Sequence, residues 1–595
     1  MCYPTKNEYI KLSLKYNLIP VFKEYLVDTE TPTSIFLKLG GTDKEMFLLE
    51  SIEGEKNISR YSIIGVSYQS FIEFKDKIFV FNSKGNLNYK IKTIFPLLEL
   101  EKIMKKYILY KNPDLDHFVG GAVGYLGYDL VQYFENINIK KSEDDITFPE
   151  LFLYLTDCVI IFDHLLNRMK IISTILIDES NKNSSAEKTY NISVNKIKEI
   201  ENLIFNNSNN NNGNIGNDNL NKSNHALNFT NVNYNINNFK NINIGKINNS
   251  NFASSNFAII NANSNIKNTN KNNNFDLEHN PNINFISSNF SKENFIEAVK
   301  CAKKYITEGD IFQVVLSQRF SLKNVSNSFN IYRALRAINP SPYMYYINFN
   351  NFKVIGSSPE PLLKINARKV STYPIAGTRK RGETAKEDKI LINELLNDEK
   401  EKAEHNMLVD LSRNDLGRVC KYGSVKVKKY MNIEKYSNVL HLVSRVEGIL
   451  DKNKTIYDAI KSVFPAGTLS GAPKIRAMQI ISELEPDRRN LYGGVIGYFG
   501  YDGSLNTCIT IRTAVIYNET AYIQAGAGIV FDSEPQKEFE ETINKAKALF
   551  NSISIANKIN NNSINSKKIL PADAVLDEAK GVDSKINKKK IIKAK

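Results

Sequence analysis

The chain has 595 residues, 42% hydrophobic and 10% aromatic, enough apolar material for one large or two medium domains and too much for a wholly disordered protein. Its formal charge of +14 raises nucleic acid or an acidic surface as a partner, yet Lys585, Lys588, Lys589, Lys590, Lys593 and Lys595 crowd the last few residues, where a solvated tail is the ordinary outcome. Cys2, Cys158, Cys301, Cys420 and Cys508 show no CxxC spacing, which argues against a zinc site or disulfide frame and for reduced, packed thiols.

Residues 1–18 lack the basic-then-apolar layout of a secretory signal, and no run nears the roughly 18 apolar residues of a membrane span. A soluble cytoplasmic protein with no membrane and no nucleic-acid partner is expected. Short β-like runs follow at 47–51, 78–81, 159–162 and 171–175. Residues 206–284 are dominated by asparagine and too poor in apolar side chains to offset the entropy of ordering, so a disordered insertion is expected between a region 1–205 and a region 285–552. Further β-like runs lie at 314–316, 344–347, 510–517 and 521–524, while 389–413 and 536–550 carry apolar residues at helical i, i+3, i+4 spacing. Residues 553–595 read as a basic, disordered tail.

The decapeptide Gly-Gly-Ala-Val-Gly-Tyr-Leu-Gly-Tyr-Asp at 120–129 recurs as Gly-Gly-Val-Ile-Gly-Tyr-Phe-Gly-Tyr-Asp at 493–502. Glycines among tyrosines suit strands that another backbone approaches closely. Each half of the chain is therefore expected to give a similar strand to one large, mainly antiparallel structure.

Glu401 and Glu404 lie three apart on one helical face, and so do Glu538 and Glu541, with Lys545 further along the same stripe. Spacing alone leaves two readings equally open: solvated faces, or carboxylates converging on a hard cation such as Mg²⁺. Gly526-Ala527-Gly528 after a strand offers backbone N–H groups, and Arg512 in an apolar strand calls for a carboxylate, either a substrate's or the protein's own. Pro374-Ile375-Ala376-Gly377-Thr378-Arg379 and Ala466-Gly467-Thr468-Leu469-Ser470-Gly471-Ala472-Pro473-Lys474 are two more glycine turns with hydroxyls.

These two turns, together with Ala403-Glu404-His405-Asn406-Met407-Leu408-Val409-Asp410 and Gln524-Ala525-Gly526-Ala527-Gly528-Ile529-Val530, resemble anthranilate synthase component I, within the chorismate-utilising enzymes. The likeness covers roughly residues 18–200 and 285–550. It implies an α+β chorismate-binding fold, a large two-sheet antiparallel β-sandwich with flanking helices. It also implies Mg²⁺ on Glu404 and Glu541 with Glu401 and Glu538 nearby. Gly377, Thr378, Tyr492, Arg512, Gly526, Ala527, Gly528 and Lys545 would hold chorismate. Glu360 would protonate the departing C4 hydroxyl, His441 would serve the later loss of pyruvate, and Thr468 would lie close by.

Two positions bear on which relative this is. Water-adding relatives carry lysine where this chain has Gln313, which cannot take a proton but can hydrogen-bond ammonia. Aminodeoxychorismate synthases carry a lysine nucleophile where this chain has Ala376. The resemblance further implies a tryptophan feedback site at Ser51, Pro342, Tyr343 and Met344. Because no Gly-x-Cys-x-Gly turn of a glutaminase is present, it also implies a separate glutamine amidotransferase subunit that delivers ammonia. The rivals are an aminodeoxychorismate synthase component I, a basic nucleic-acid-binding protein and a non-catalytic tryptophan sensor.

Overall fold

The structure of the protein is a computed structural model, which describes residues 1–52, 60–83, 86–139, 146, 148–178, 182–205, 286–325, 327–349, 351–436 and 439–565. Two long strands, Tyr61–Lys75 and Leu151–Asp163, organise it. They pair antiparallel along their length, but the register slips three times between Gly65 and Ser70. Such bulges bend a strand and sharpen its twist, so the two halves of each strand enter different layers.

In the first layer the outer halves meet Arg168–Ser173 on one side and Phe47–Glu50 on the other. Order then runs through Tyr343–Asn348, Phe352–Ser358, Thr513–Tyr517 and Thr520–Ile529 to Gln313–Leu322. In the second, Leu151–Asp163 meets Gly121–Leu126, followed by Val495–Gly500, Leu505–Ile509, Pro361–Asn366, Lys369–Thr372 and Val439–Ile449, which also pairs Ile375–Lys380. The expected two-sheet sandwich is thus, among the described residues, a single hydrogen-bonded network of 22 strands folded into two layers. All strand pairings among the described residues are antiparallel apart from isolated bridges, and with flanking helices the fold is α+β.

Tyr125, Tyr154, Phe349, Ile496 and Val515 fill the interior from both layers. Outside the first layer, Phe36, Phe329 and Phe550 come from helices Pro32–Lys38, Ser328–Ile338 and Pro535–Asn565. Outside the second, Leu100, Leu416 and Ile460 come from helices Pro96–Met104, Glu399–Gly417 and Ile456–Val463. Each such side chain stabilises the fold by roughly 1.5–3 kcal/mol of apolar burial.

The repeated decapeptides pair with each other: Gly124 faces Gly497 in the register of Gly121–Leu126 against Val495–Gly500. A Cβ on Gly124 would lie 2.1 Å from the Phe152 carbonyl oxygen, and one on Gly497 would lie 2.1 Å from that of Asn506. Close backbone approach, the reason inferred for these glycines, is met on both sides.

Three expected elements differ. The helix at 389–413 is two helices, Ala385–Asn397 and Glu399–Gly417, because Asp398 accepts from the amides of Lys400 and Glu401 and caps the second. The helix at 536–550 runs on to Asn565, across the expected boundary at 552, since Ile553, Ile555, Ala556 and Ile559 keep a buried stripe, in part against Ala334. The strand at 510–517 begins only at Thr513, because Arg512 has φ +51° and turns the chain. The insertion 206–284 and the tail beyond 565 lie outside the described residues.

Candidate active site

Two connections between the layers run side by side. Pro359 and Glu360 lead from Phe352–Ser358 in the first layer to Pro361–Asn366 in the second, while residues 510–512 return from Leu505–Ile509 to Thr513–Tyr517. They are stitched by Ile509 N–H to the Glu360 carbonyl at 2.9 Å, Ser357 N–H to the Arg512 carbonyl at 3.1 Å and Ser358 Oγ to the Ile509 carbonyl at 2.7 Å. The site grows from these crossings, where an acid and a guanidinium far apart in sequence come together.

Glu360 accepts a hydrogen bond from Thr468 Oγ1 at 3.1 Å. Burial raises its carboxyl above the usual range, against the opposing pull of the Thr468 bond, Lys545 and Arg512. Arg512 is half-buried, and its Nη1 donates to the Lys545 carbonyl. Lys545 in turn reaches the Gly526 carbonyl at 2.9 Å and Glu541 at 2.7 Å.

Gly526, Ala527 and Gly528 lie within strand Thr520–Ile529 rather than after a strand, opposite Ser317, Leu316 and Val315. Strand Thr513–Tyr517 pairs only as far as Ile523, which leaves one edge of this segment open. A Cβ on Gly526 would come within 2.8 Å of Tyr492 Oη, and one on Gly528 within 3.0 Å of Gln313 Nε2. Ala527 points the other way, into the core with Val314 and Ile529, so only its backbone can face a ligand.

Gly377 sits at a register slip between Ala376 and Thr378 with φ +66°, in the left-handed region that glycine alone adopts freely. The bulge places the Gly377 carbonyl 3.3 Å and Thr378 Oγ1 3.0 Å from His441 Nδ1. Burial lowers the His441 pKa, and Arg512 pushes in the same direction. A neutral imidazole with one nitrogen engaged results.

Glu404 lies on helix Glu399–Gly417, where Gln313 Nε2 donates to it at 3.5 Å. Burial raises its pKa, with repulsion from Glu401 added; burial also raises Glu538, with Glu541 adding repulsion. Lys400 and Lys545 act on both Glu404 and Glu538, so the two acidic pairs share the same two ammonium neighbours. Among the described residues no three His, Cys, Asp or Glu side chains approach closely enough to hold an ion by themselves. The donor set is nevertheless oxygen-only and small, as suits Mg²⁺, which keeps waters and takes a substrate oxygen, and a divalent charge there would reverse the upward shifts. Arg379, which sequence reasoning did not single out, bridges Asp398 at 2.7 Å and Glu401 at 3.0 Å. His405 was also missed: wholly buried, with its pKa pushed down to about 4, it ties this helix to Ser444 on the His441 strand through a 2.6 Å bond.

The expected regulatory residues gather at one place in the first layer. Met344 pairs with Glu50 across the strands and Ile52 N–H reaches the Ser341 carbonyl at 3.3 Å, so Ser51 lies beside Pro342. Ser51 Oγ is buried with no hydrogen-bond partner among the described residues. Tyr343 and Met344 point to opposite faces: Tyr343 Oη donates to Asn506 at 2.9 Å inside the sandwich, and Met344 packs with the outer helices. Tyr343 pairs with Ser358, two residues before Glu360.

The interlayer crossings of this two-layer antiparallel sandwich carry an acid and a guanidinium, a neighbouring strand offers open glycine backbone and two helices offer paired carboxylates, an arrangement suited to an enzyme that receives an anion. Comparison with known proteins gives the same class: the sequence pattern of chorismate binding enzymes matches residues 248–551. Anthranilate synthase component 1 of Aquifex aeolicus is 42% identical over 550 residues, 92% of this chain and 97% of its own length. That of Acetivibrio thermocellus is 43% identical over 560 residues, covering 94% and 100%. The crystal structure of anthranilate synthase component I from Streptococcus pneumoniae matches with a TM-score of 0.62 and 32% identity, covering 88% of this chain and 98% of that one. The chain therefore belongs to the chorismate-binding enzymes, in their anthranilate synthase component I family. No helix among the described residues is long and apolar enough to cross a membrane.

Proposed function

We propose that this chain is the large subunit of an anthranilate synthase, converting chorismate and ammonia to anthranilate and pyruvate. The observation that carries the proposal is the Glu360 carboxyl, kept toward its protonated form by burial and aimed by Thr468 beside Arg512. An acid held in that state can protonate the C4 hydroxyl as it leaves. Arg512, Lys545, Tyr492, Thr378 and the backbone of Gly377, Gly526, Ala527 and Gly528 bind the substrate's carboxylates and enolpyruvyl arm. The Gln313 amide orients ammonia toward C2 and leaves the amine its lone pair. His441, neutral through burial, carries the proton in the later elimination of pyruvate, which aromatisation drives.

Glu404 and Glu541, with Glu401 and Glu538 around them, would hold Mg²⁺, which when bound neutralises and orients the ring carboxylate. Ammonia comes from glutamine through a separate amidotransferase subunit. Tryptophan feeds back at Ser51, Pro342, Tyr343 and Met344, where the Ser51 hydroxyl, without a partner among the described residues, is available to a polar group. All five cysteines are free, in keeping with a reducing cytoplasmic setting.

The test is a fluorescence and mass assay of the purified chain with chorismate and an ammonium salt, with and without Mg²⁺. Anthranilate and pyruvate, formed only with metal, are expected. Aminodeoxychorismate or isochorismate as product would overturn the roles given to Ala376 and Gln313. Tryptophan that changes neither turnover nor thermal stability would remove the feedback site.

A further inference from the structure

Glu485 and Arg489 form an ion pair at 2.6 Å whose side chains are only 3% and 2% exposed. A buried pair of this kind contributes little net stability compared with apolar side chains of similar size, so its retention calls for another explanation. Its hydrogen bonds supply one. Arg489 Nη1 donates to the Leu469 carbonyl at 2.6 Å, and Nη2 to the Val315 carbonyl at 2.8 Å. Glu485 Oε1 accepts from the Ser317 amide at 2.7 Å and from its hydroxyl at 2.8 Å; that hydroxyl accepts from Gln524 at 2.8 Å. The guanidinium also lies 5.5 Å from the centre of the Tyr492 ring and 4.8 Å from that of Tyr128.

Each contact adjoins a group already assigned to the site. Leu469 follows Thr468, the donor to Glu360. Val315 and Ser317 lie on the strand of Gln313 and pair with Gly528 and Gly526. We infer that the Glu485–Arg489 pair is a positioning device that locks the Thr468 turn, the Gln313 strand and the Tyr492 ring into one geometry. Lysine cannot substitute, because a single ammonium lacks the planar fork that reaches two carbonyls and a carboxylate at once. The inference rests on the proposed reaction, since positioning is defined by the chemistry it serves.

The experiment compares wild type, Arg489→Lys and the apolar double variant Glu485→Met/Arg489→Met by thermal unfolding and by steady-state anthranilate formation. The double variant leaves no uncompensated buried charge, so it is expected to fold. Both variants should unfold near the wild-type temperature with kcat lowered about a hundredfold, the penalty of roughly 1 Å of misplacement, and with KM changed far less. Folded variants with kcat within about twofold of wild type would overturn the inference. So would failure of both to fold, because the pair would then hold the molecule rather than the site. A wild-type chain that makes no anthranilate would instead sink the proposed reaction, which keeps the two failures distinct.

Discussion

For the proposed chemistry Glu360 must hold a proton, and burial shifts its carboxyl toward that form. Because burial raises its pKa above 4.5, the acid form persists to higher pH and kcat should fall only as pH rises through that raised pKa. His441 is shifted the opposite way, below 6.5, so the loss of activity on its protonation belongs to the acid side. Thr468 donates to the ionised form of Glu360, and Thr468→Val should therefore move the alkaline limb of the kcat profile upward. Glu360→Gln should cost about 10²- to 10⁴-fold in kcat with KM little changed, as measured by steady-state kinetics. Their meeting was not legible from spacing, since Glu360 and Arg512 sit on separate interlayer crossings: Arg512 stood out as a guanidinium in an apolar run, but only likeness to a known family singled out Glu360. The acidic pairs were legible as pairs, because i, i+3 spacing fixes a helical face, while spacing alone left open whether they are solvated faces or converge on a cation.

Periodicity predicted helix at 389–413 and overlooked the break, since an apolar stripe can continue across a kink that one side chain imposes. Asp398 imposes it, closing two amides of the second helix while pairing with Arg379. Asp398→Ala should destabilise the protein by about 1 kcal/mol, read from denaturant unfolding, through loss of the cap. It should also weaken Mg²⁺ activation, read as a higher metal concentration for half-maximal rate, because Arg379 and the first turn bearing Glu401 lose their anchor. Gly377 carries a sharper demand. A Cβ there would lie 3.2 Å from Glu401 Oε2 in a left-handed conformation, so Gly377→Ala should lower kcat while leaving most of the fold intact.

Across the whole molecule, the echo of one decapeptide in the other announced two similar strands, one from each half, but not that they pair with each other. It did not disclose the layering, which depends on bulges between Gly65 and Ser70 that no pattern of apolar residues announces. Gly497→Ala would drive a methyl into the Asn506 carbonyl and should destabilise by more than about 3 kcal/mol, seen as loss of soluble, cooperatively unfolding protein. Residues 206–284 are a contrasting case. The chain leaves helix Lys182–Phe205 and returns at Ile286–Ser288, which pairs with the Phe320–Leu322 end of strand Gln313–Leu322, opposite the end bearing Gln313. Replacing 206–284 with a flexible linker should leave kcat within about twofold, since loop length adds only a slowly growing entropic cost.

The pairing of Tyr343 with Ser358 has a mechanical meaning. A β-ladder is stiff across its rungs, and Glu360 hangs two residues past the last one, on the short tether to the second layer. A ligand wedged against Pro342 and Tyr343 therefore has one rung to pull, with almost no slack before the strain arrives at the acid. Under the proposed feedback, Tyr343, Ser358 and Glu360 form the shortest covalent and ladder route between the two sites, and loosening of the Thr468–Glu360 bond is the change a ligand there would be expected to produce.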